Sequence, residues 1–241
     1  MTLKENITSK TKEFKNTKFE IKNTTVVPTI DSNGLTFGCT GLRFDAVVLY
    51  IDMRHSTELL DEHRRNVVAK LHMAYYNAIV SVAKKAGGEC RSFNGDSLLV
   101  FFAGTDKATV ANAVRCAFRM KYAITEMVNP NMSDYKDINF GIGMDLGTII
   151  ATKIGLGRED NTKDLIWLGD AVNKSTRISD ECKSPKHVGI SAAVYNKLDA
   201  NLLQYKDEYG FTYDVWSKTW FTYNNKSEYL YSSSCHIAIN D

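Results

Sequence analysis

Phe44-Asp-Ala-Val-Val-Leu-Tyr-Ile-Asp52 and Cys90-Arg-Ser-Phe-Asn-Gly-Asp-Ser-Leu-Leu-Val-Phe-Phe102 are the two stretches whose reading decides the fold. The first is a short apolar run ending on an acid, as a buried strand does. The second is a pair of strand-like runs around Asn94-Gly95-Asp96, and an Asn-Gly pair between apolar runs is a strong hairpin signal. If the first run lies beside the hairpin, Asp52 and Asp96 emerge at one end of one sheet. Paired carboxylates are hard oxygen ligands for divalent cations. Two such cations can clamp both the attacking and the leaving oxygen of a phosphoryl displacement, so the arrangement points to nucleotide chemistry.

Working outward, Arg54-His-Ser-Thr-Glu58 reads as a helix cap, and Val67, Val68, Leu71, Ile79 and Val80 recur at helical spacing over residues 66–85. Gly87-Gly88 stops that helix, and a second is expected over residues 106–127. Ile138 to Gly147 alternates like a strand, and Ile149 to Ile154 is expected to return beside it across Gly147-Thr148. Leu165-Ile-Trp-Leu168 reads as a short strand. Gly169-Asp170 then opens a helix with Asp170 as N-cap and with Asn173 and Arg177, four residues apart, on one face. Val188-Gly-Ile-Ser191, a short helix to Leu198 and terminal strands around Phe211 to Trp216 and Tyr229 to Tyr231 complete the chain. Residues 1–40 are rich in Lys, Asn and Thr and read as an arm or lead-in, with edge strands expected at Phe19 to Lys22 and Thr25 to Ile30. Residues 41–241 read as one catalytic domain. The order describes an α+β domain in which helices pack on a mainly antiparallel sheet.

At 241 residues and 44% apolar composition the chain buries a full core. A net charge of +2, from 30 basic and 28 acidic residues, gives no global electrostatic argument for nucleic acid or a membrane surface. The five cysteines are scattered without a CxxC pair, as expected of reduced thiols. No run approaches the ~18 apolar residues of a membrane span, and the polar start lacks a signal-peptide core, so a cytoplasmic protein is expected. No GxxxxGK[ST] loop occurs, which disfavours P-loop chemistry.

Four pieces in order resemble the catalytic domain of class III adenylate and guanylate cyclases: Leu49-Tyr-Ile-Asp-Met-Arg-His-Ser-Thr57, Gly87-Gly88 through Asn94-Gly-Asp96, Gly141-Ile-Gly-Met-Asp-Leu-Gly147 and Gly169-Asp-Ala-Val-Asn-Lys-Ser-Thr-Arg177. The resemblance runs from Asp45 to Leu198 and implies the ferredoxin-like fold of that family. It implies that Asp52 and Asp96 hold two divalent ions, Mn²⁺ or Mg²⁺, with the Met53 carbonyl as a further ligand. It assigns Asn173 to orienting the ribose and Arg177 to the charge developing on the α-phosphate, a task suited to a guanidinium fork. Because those two residues act from the opposite subunit in such cyclases, it also implies a homodimer with composite sites. The ligand of the outer phosphates is left open among Lys153, Arg158 and Lys218.

Where adenylate and guanylate cyclases carry polar readers of the purine edge, this chain has Ser92 and Ile166. An apolar Ile166, expected to be buried, offers no hydrogen bond to a purine, and a site lacking a polar partner discriminates against that base. Tyr50, two residues before Asp52, is expected to shorten the base cavity. These substitutions resemble the Pycsar-type pyrimidine cyclases of bacterial antiphage defence, which signal to a separate effector. The expectation is therefore a uridylate cyclase acting on UTP. The alternatives are a cytidylate cyclase, an adenylate cyclase, and a cyclase-like domain that binds nucleotide without turnover. A palm-type polymerase or diguanylate cyclase would need a second acid in the turn, where Phe93-Asn-Gly-Asp-Ser97 has one.

Overall fold

The structure, a computed structural model, describes residues 1–156 and 162–240. Its elements begin with α1 (Leu3–Asn16), β1 (Glu20–Asn23), β2 (Thr40–Arg54), α2 (Ser56–Glu62) and α3 (Arg65–Lys85). The hairpin β3 (Glu89–Asn94) and β4 (Ser97–Ala103) follows, then α4 (Lys107–Tyr122), which runs through a π-helical turn (Ala123–Val128) into α5 (Asn129–Asn131). Next come β5 (Asn139–Gly155), β6 (Lys163–Leu168), α6 (Asp170–Asp180), β7 (Val188–Ser191), α7 (Ala192–Tyr195) and α8 (Ala200–Leu203). The chain closes with β8 (Gln204–Lys206), β9 (Thr212–Asp214), β10 (Ser217–Tyr223) and β11 (Lys226–Ser233).

The main sheet has the order β10-β11-β7-β5-β2-β4-β3, with β1 added along the start of β2 and β6 along the end of β5. Among the described residues, β1/β2 and β5/β7 are its parallel pairings and the others are antiparallel. Strand β2 is the axis of the sheet. Its alternation sends Val47, Leu49, Ile51 and Met53 to the face covered by α3 and α4, where the larger core forms with Leu71, Ile79 and Val114. Phe44, Ala46 and Val48 go to the opposite face, where a second core forms with Phe101, Ile149 and Ala171. Both faces are covered, so β2 reads in the sequence as a continuous apolar run.

Helix α6 lies on this second face by close approach to β5. A Cβ on Gly143 would stand 2.0 Å from the Ser175 carbonyl oxygen, and one on Gly141 would stand 2.5 Å from that of Ser179. The two glycines are what let the helix that carries Asn173 and Arg177 reach the sheet.

Three expectations are corrected. Residues 139–155 form one 17-residue strand instead of a hairpin. Gly147 and Thr148 pair in register with Ala46 and Asp45 of β2, and Thr148 Oγ1 donates to Asp45 Oδ1 across the strands. A second long strand is what keeps this glycine extended. The lead-in contains a helix, α1, started by a Thr2/Glu5 capping box and burying none of its residues, with β1 after it; Thr25 to Ile30 is not a strand. At α6, Gly169 occupies the N-cap and Asp170 is the first helical residue.

Candidate active site

The β2/β4 register ends on Asp52 opposite Ser97, so the residue before Ser97, Asp96 in the Gly95 turn, comes to the same sheet end as Asp52. The turn exists because Gly95 takes φ +63°, a region that favours glycine. It is held from below by α3: Tyr76 Oη lies 3.0 Å from both the Gly95 and the Ser97 carbonyl oxygens as their donor. Burial, and then the negative charge of Asp96, push the Asp52 carboxyl up to about 6. Two carboxylates in one half-buried site repel until a cation lies between them.

Arg54, which the sequence reading left without a role, ties Asp52 to α6. Its Nη1 donates to Asp52 Oδ2 at 3.1 Å, its Nη2 to the Ser179 carbonyl and to Ser179 Oγ, and its Nε to the Cys182 carbonyl at 3.3 Å. Asp180 lies 3.6 Å from the same guanidinium and 3.0 Å from Arg177 Nη1. A chain of alternating charge therefore runs Asp52, Arg54, Asp180, Arg177. The only available signal was the basic residue two positions after the acid, on the same strand face.

Asn173 and Arg177 lie on one exposed face of α6. Neither makes a contact with Asp52 or Asp96 among the described residues. Met53 buries its side chain in the larger core. Tyr50 shares the Asp52 face and packs against the second core; burial raises its phenol above the ordinary value.

Ser92 sits in an irregularity of β3 at φ +48°, and its Oγ accepts from Trp167 Nε1 at 3.0 Å. Trp167 also packs on Phe44 and Phe101. It is thus Trp167, one residue after Ile166, that meets Ser92 on the Tyr50 face. Ile166 leaves β6 on the other side and is half-exposed, where burial was expected. A cavity of about 260 Å³ opens between Ser92, Arg91, Asp164 and Trp167, and Thr29 and Ile30 of the lead-in wall it. Arg91 is held there by the Pro28 carbonyl at 3.2 Å and by Glu89.

Of the candidates for the outer phosphates, Lys153 lies on β5 with its ammonium 5.7 Å from the centre of the Phe37 ring. Lys218 lies on β10 against Tyr229, at 3.4 Å. Arg158 is outside the described residues.

No cluster of three His, Cys, Asp or Glu side chains able to hold a metal occurs among the described residues. The donor set nevertheless fits divalent hard cations, which bind through one or two carboxylates and fill their remaining positions with carbonyl, water and phosphate oxygens. The mutual repulsion of Asp52 and Asp96 is what such a cation relieves.

Residues 43–219 match the family described as adenylate and guanylate cyclase catalytic domain. Among curated proteins, the chain is 27% identical over 204 residues to a uridylate cyclase of Burkholderia cepacia, covering 83% of this chain and 84% of that one. It is 25% identical over 242 residues to a uridylate cyclase of Rhodovulum sp. (strain MB263), covering 97% of each. Among solved structures, the guanylyl cyclase Cya2 matches with a TM-score of 0.66 at 19% identity, covering 80% of this chain and 93% of that one. The adenylyl cyclase CyaB from P. aeruginosa matches equally, with a TM-score of 0.66 at 19% identity over 80% of this chain and 95% of that one. The ferredoxin-like cyclase fold is thereby established, and the chain belongs to the adenylate and guanylate cyclase catalytic-domain family.

Proposed function

We propose that the protein converts UTP to 3′,5′-cyclic UMP and pyrophosphate. The observation that carries this is the convergence of Asp52 and Asp96 at one sheet end with Tyr50 on the same face, in a chain whose similar proteins include uridylate cyclases. In the reaction the ribose O3′ forms a bond to the α-phosphorus, and the bond from that phosphorus to the α,β-bridging oxygen breaks. Pyrophosphate leaves with the electron pair, and the 3′-hydroxyl proton passes to solvent. When bound, Mg²⁺ or Mn²⁺ would supply a Lewis acid that acidifies the hydroxyl and neutralises the triphosphate. Asp52 and Asp96, with the Met53 carbonyl, would hold those ions. Arg54 fixes the Asp52 rotamer, and Tyr76 fixes the turn that presents Asp96.

Asn173 and Arg177 serve the site of a second copy, orienting ribose and meeting α-phosphate charge. Their exposure and their lack of contact with the carboxylates of their own chain support a homodimer with two composite sites. On the base side Tyr50 and Ser92 narrow the space for a purine, with Trp167 behind Ser92, whereas Ile166, on the other side of β6, adds nothing to that space. The product is a diffusible messenger read by a separate effector, and antiphage defence in the cytoplasm is the setting the reading favours. No helix among the described residues is long and apolar enough to cross a membrane.

The test is incubation of purified protein with each of ATP, GTP, CTP and UTP and with Mn²⁺ or Mg²⁺, products being resolved by mass spectrometry. Cyclic UMP is expected. Cyclic CMP would move the assignment to the other pyrimidine, cyclic AMP would overturn the base reading while keeping the chemistry, and no product would favour nucleotide binding without turnover.

A further inference from the structure

A cavity of about 740 Å³ lies away from the carboxylates, in the helical layer, between α3, the π-helical turn after α4 and residues Ile239 and Asn240. It exists for local reasons. Ala74, Ala78 and Ala86 present methyl groups along one side of α3 where longer side chains would fill the groove, and Ala123 does the same opposite. The π-helical turn at residues 123–128 sets Met127 and Val128 into the wall, and such widened turns gather at functional positions. The tail forms the last wall: Ile237 packs on the core and its N–H reaches the Phe118 carbonyl at 3.4 Å.

An apolar cleft of this size with a few convergent polar groups has the construction of a small-molecule site. Its charged groups among the described residues share one sign. Lys85 and Arg119 both line it, and neither has an ion pair or hydrogen-bonded acceptor among the described residues. The remaining polar side chains among the described residues are the carboxamides of Asn77, Asn131 and Asn240 and the Ser81 hydroxyl; no carboxylate lines the cavity among the described residues. From this charge and shape we infer that the cavity binds a small amphipathic anion, with its apolar body against the alanines and methionines and its carboxylate, sulfonate or phosphate group on Lys85 and Arg119. The site is separate from the catalytic face, but its floor is the helix whose Tyr76 holds the Asp96 turn.

The test uses two probes with the same apolar body, anilinonaphthalene sulfonate and its neutral counterpart phenylnaphthylamine, titrated by fluorescence into the full chain. Saturable uptake at one site is expected, with the anion bound about tenfold more tightly than the neutral probe, since a charge-assisted contact contributes about 1.4 kcal/mol or more. Lys85→Glu, at an exposed helix end, removes that preference. Ala78→Trp fills the groove and abolishes uptake of both probes, with an unchanged circular dichroism spectrum as the control. Equal affinity for the two probes in the wild type, or anion uptake that survives both substitutions, overturns the inference. Absence of uptake together with self-association beyond a dimer that Ala78→Trp removes would also overturn it, and would give the groove to a second copy.

Discussion

Asp52 sits between a carboxylate that repels it and a guanidinium that holds it, and burial tips the balance towards the protonated form at about 6. The sign for stability follows from proton linkage. The folded chain binds this proton more tightly than the unfolded chain, so the stability contributed by the protonated carboxyl is present at low pH and lost as pH rises through about 6. A divalent cation requires the ionised pair and reverses that trend. Mn²⁺ is therefore expected to raise the melting temperature strongly at about pH 8 and weakly at about pH 5; equal shifts in a thermal melt would sink the two-carboxylate site. Asp52→Ala and Asp96→Ala are each expected to lower turnover about a thousandfold, because several kcal/mol of charge stabilisation disappears at about 1.4 kcal/mol per tenfold. Unchanged circular dichroism separates that loss from unfolding. The acids themselves were readable from sequence, one ending an apolar run and the other following Asn-Gly. Arg54 and Trp167 were not, because their partners Ser179 and Ser92 lie 125 and 75 residues away in the chain.

At the scale of elements, two supports position the site. Helix α3 reaches the Asp96 turn through Tyr76, and removing one hydroxyl that serves two carbonyls is expected to matter more for metal than for fold. Tyr76→Phe should raise the Mn²⁺ concentration for half-maximal turnover about fivefold, in line with a hydrogen bond of about 1 kcal/mol, and an unchanged metal titration would remove Tyr76 from the site. Helix α6 rests on β5 because Gly141 and Gly143 have no side chains, and the approach is tightest at Gly143. Gly143→Ala places a methyl against the Ser175 backbone and is expected to destabilise the fold by about 3 kcal/mol, read from urea unfolding. Helical periodicity and glycine punctuation made α3, α4, α6 and the hairpin legible in advance. The unbroken β5 was not, since Gly147-Thr148 has the composition of a turn and only the paired length of β2 keeps it extended.

At the scale of the whole molecule, the carboxylates and the α6 pair of Asn173 and Arg177 do not meet within one chain among the described residues. An equal mixture of Asp52→Ala and Arg177→Ala chains, each inactive alone, should therefore recover about a quarter of wild-type turnover after subunit exchange, because half the dimers carry one intact site. A mixture that stays inactive would place both groups in one protomer's site. What the sequence determined by itself was local: the two acids, the strand and helix that present them, and the family motifs around them, because each depends on residues within a few positions of one another. What only the tertiary structure decided was which of these meet: Arg54 with the end of α6, Trp167 with Ser92, Tyr76 with the Asp96 turn, and the lead-in with the wall of the cavity beside Ser92. Those contacts join segments far apart in the chain, and their geometry is set by sheet register and close packing, which no local pattern of residues records.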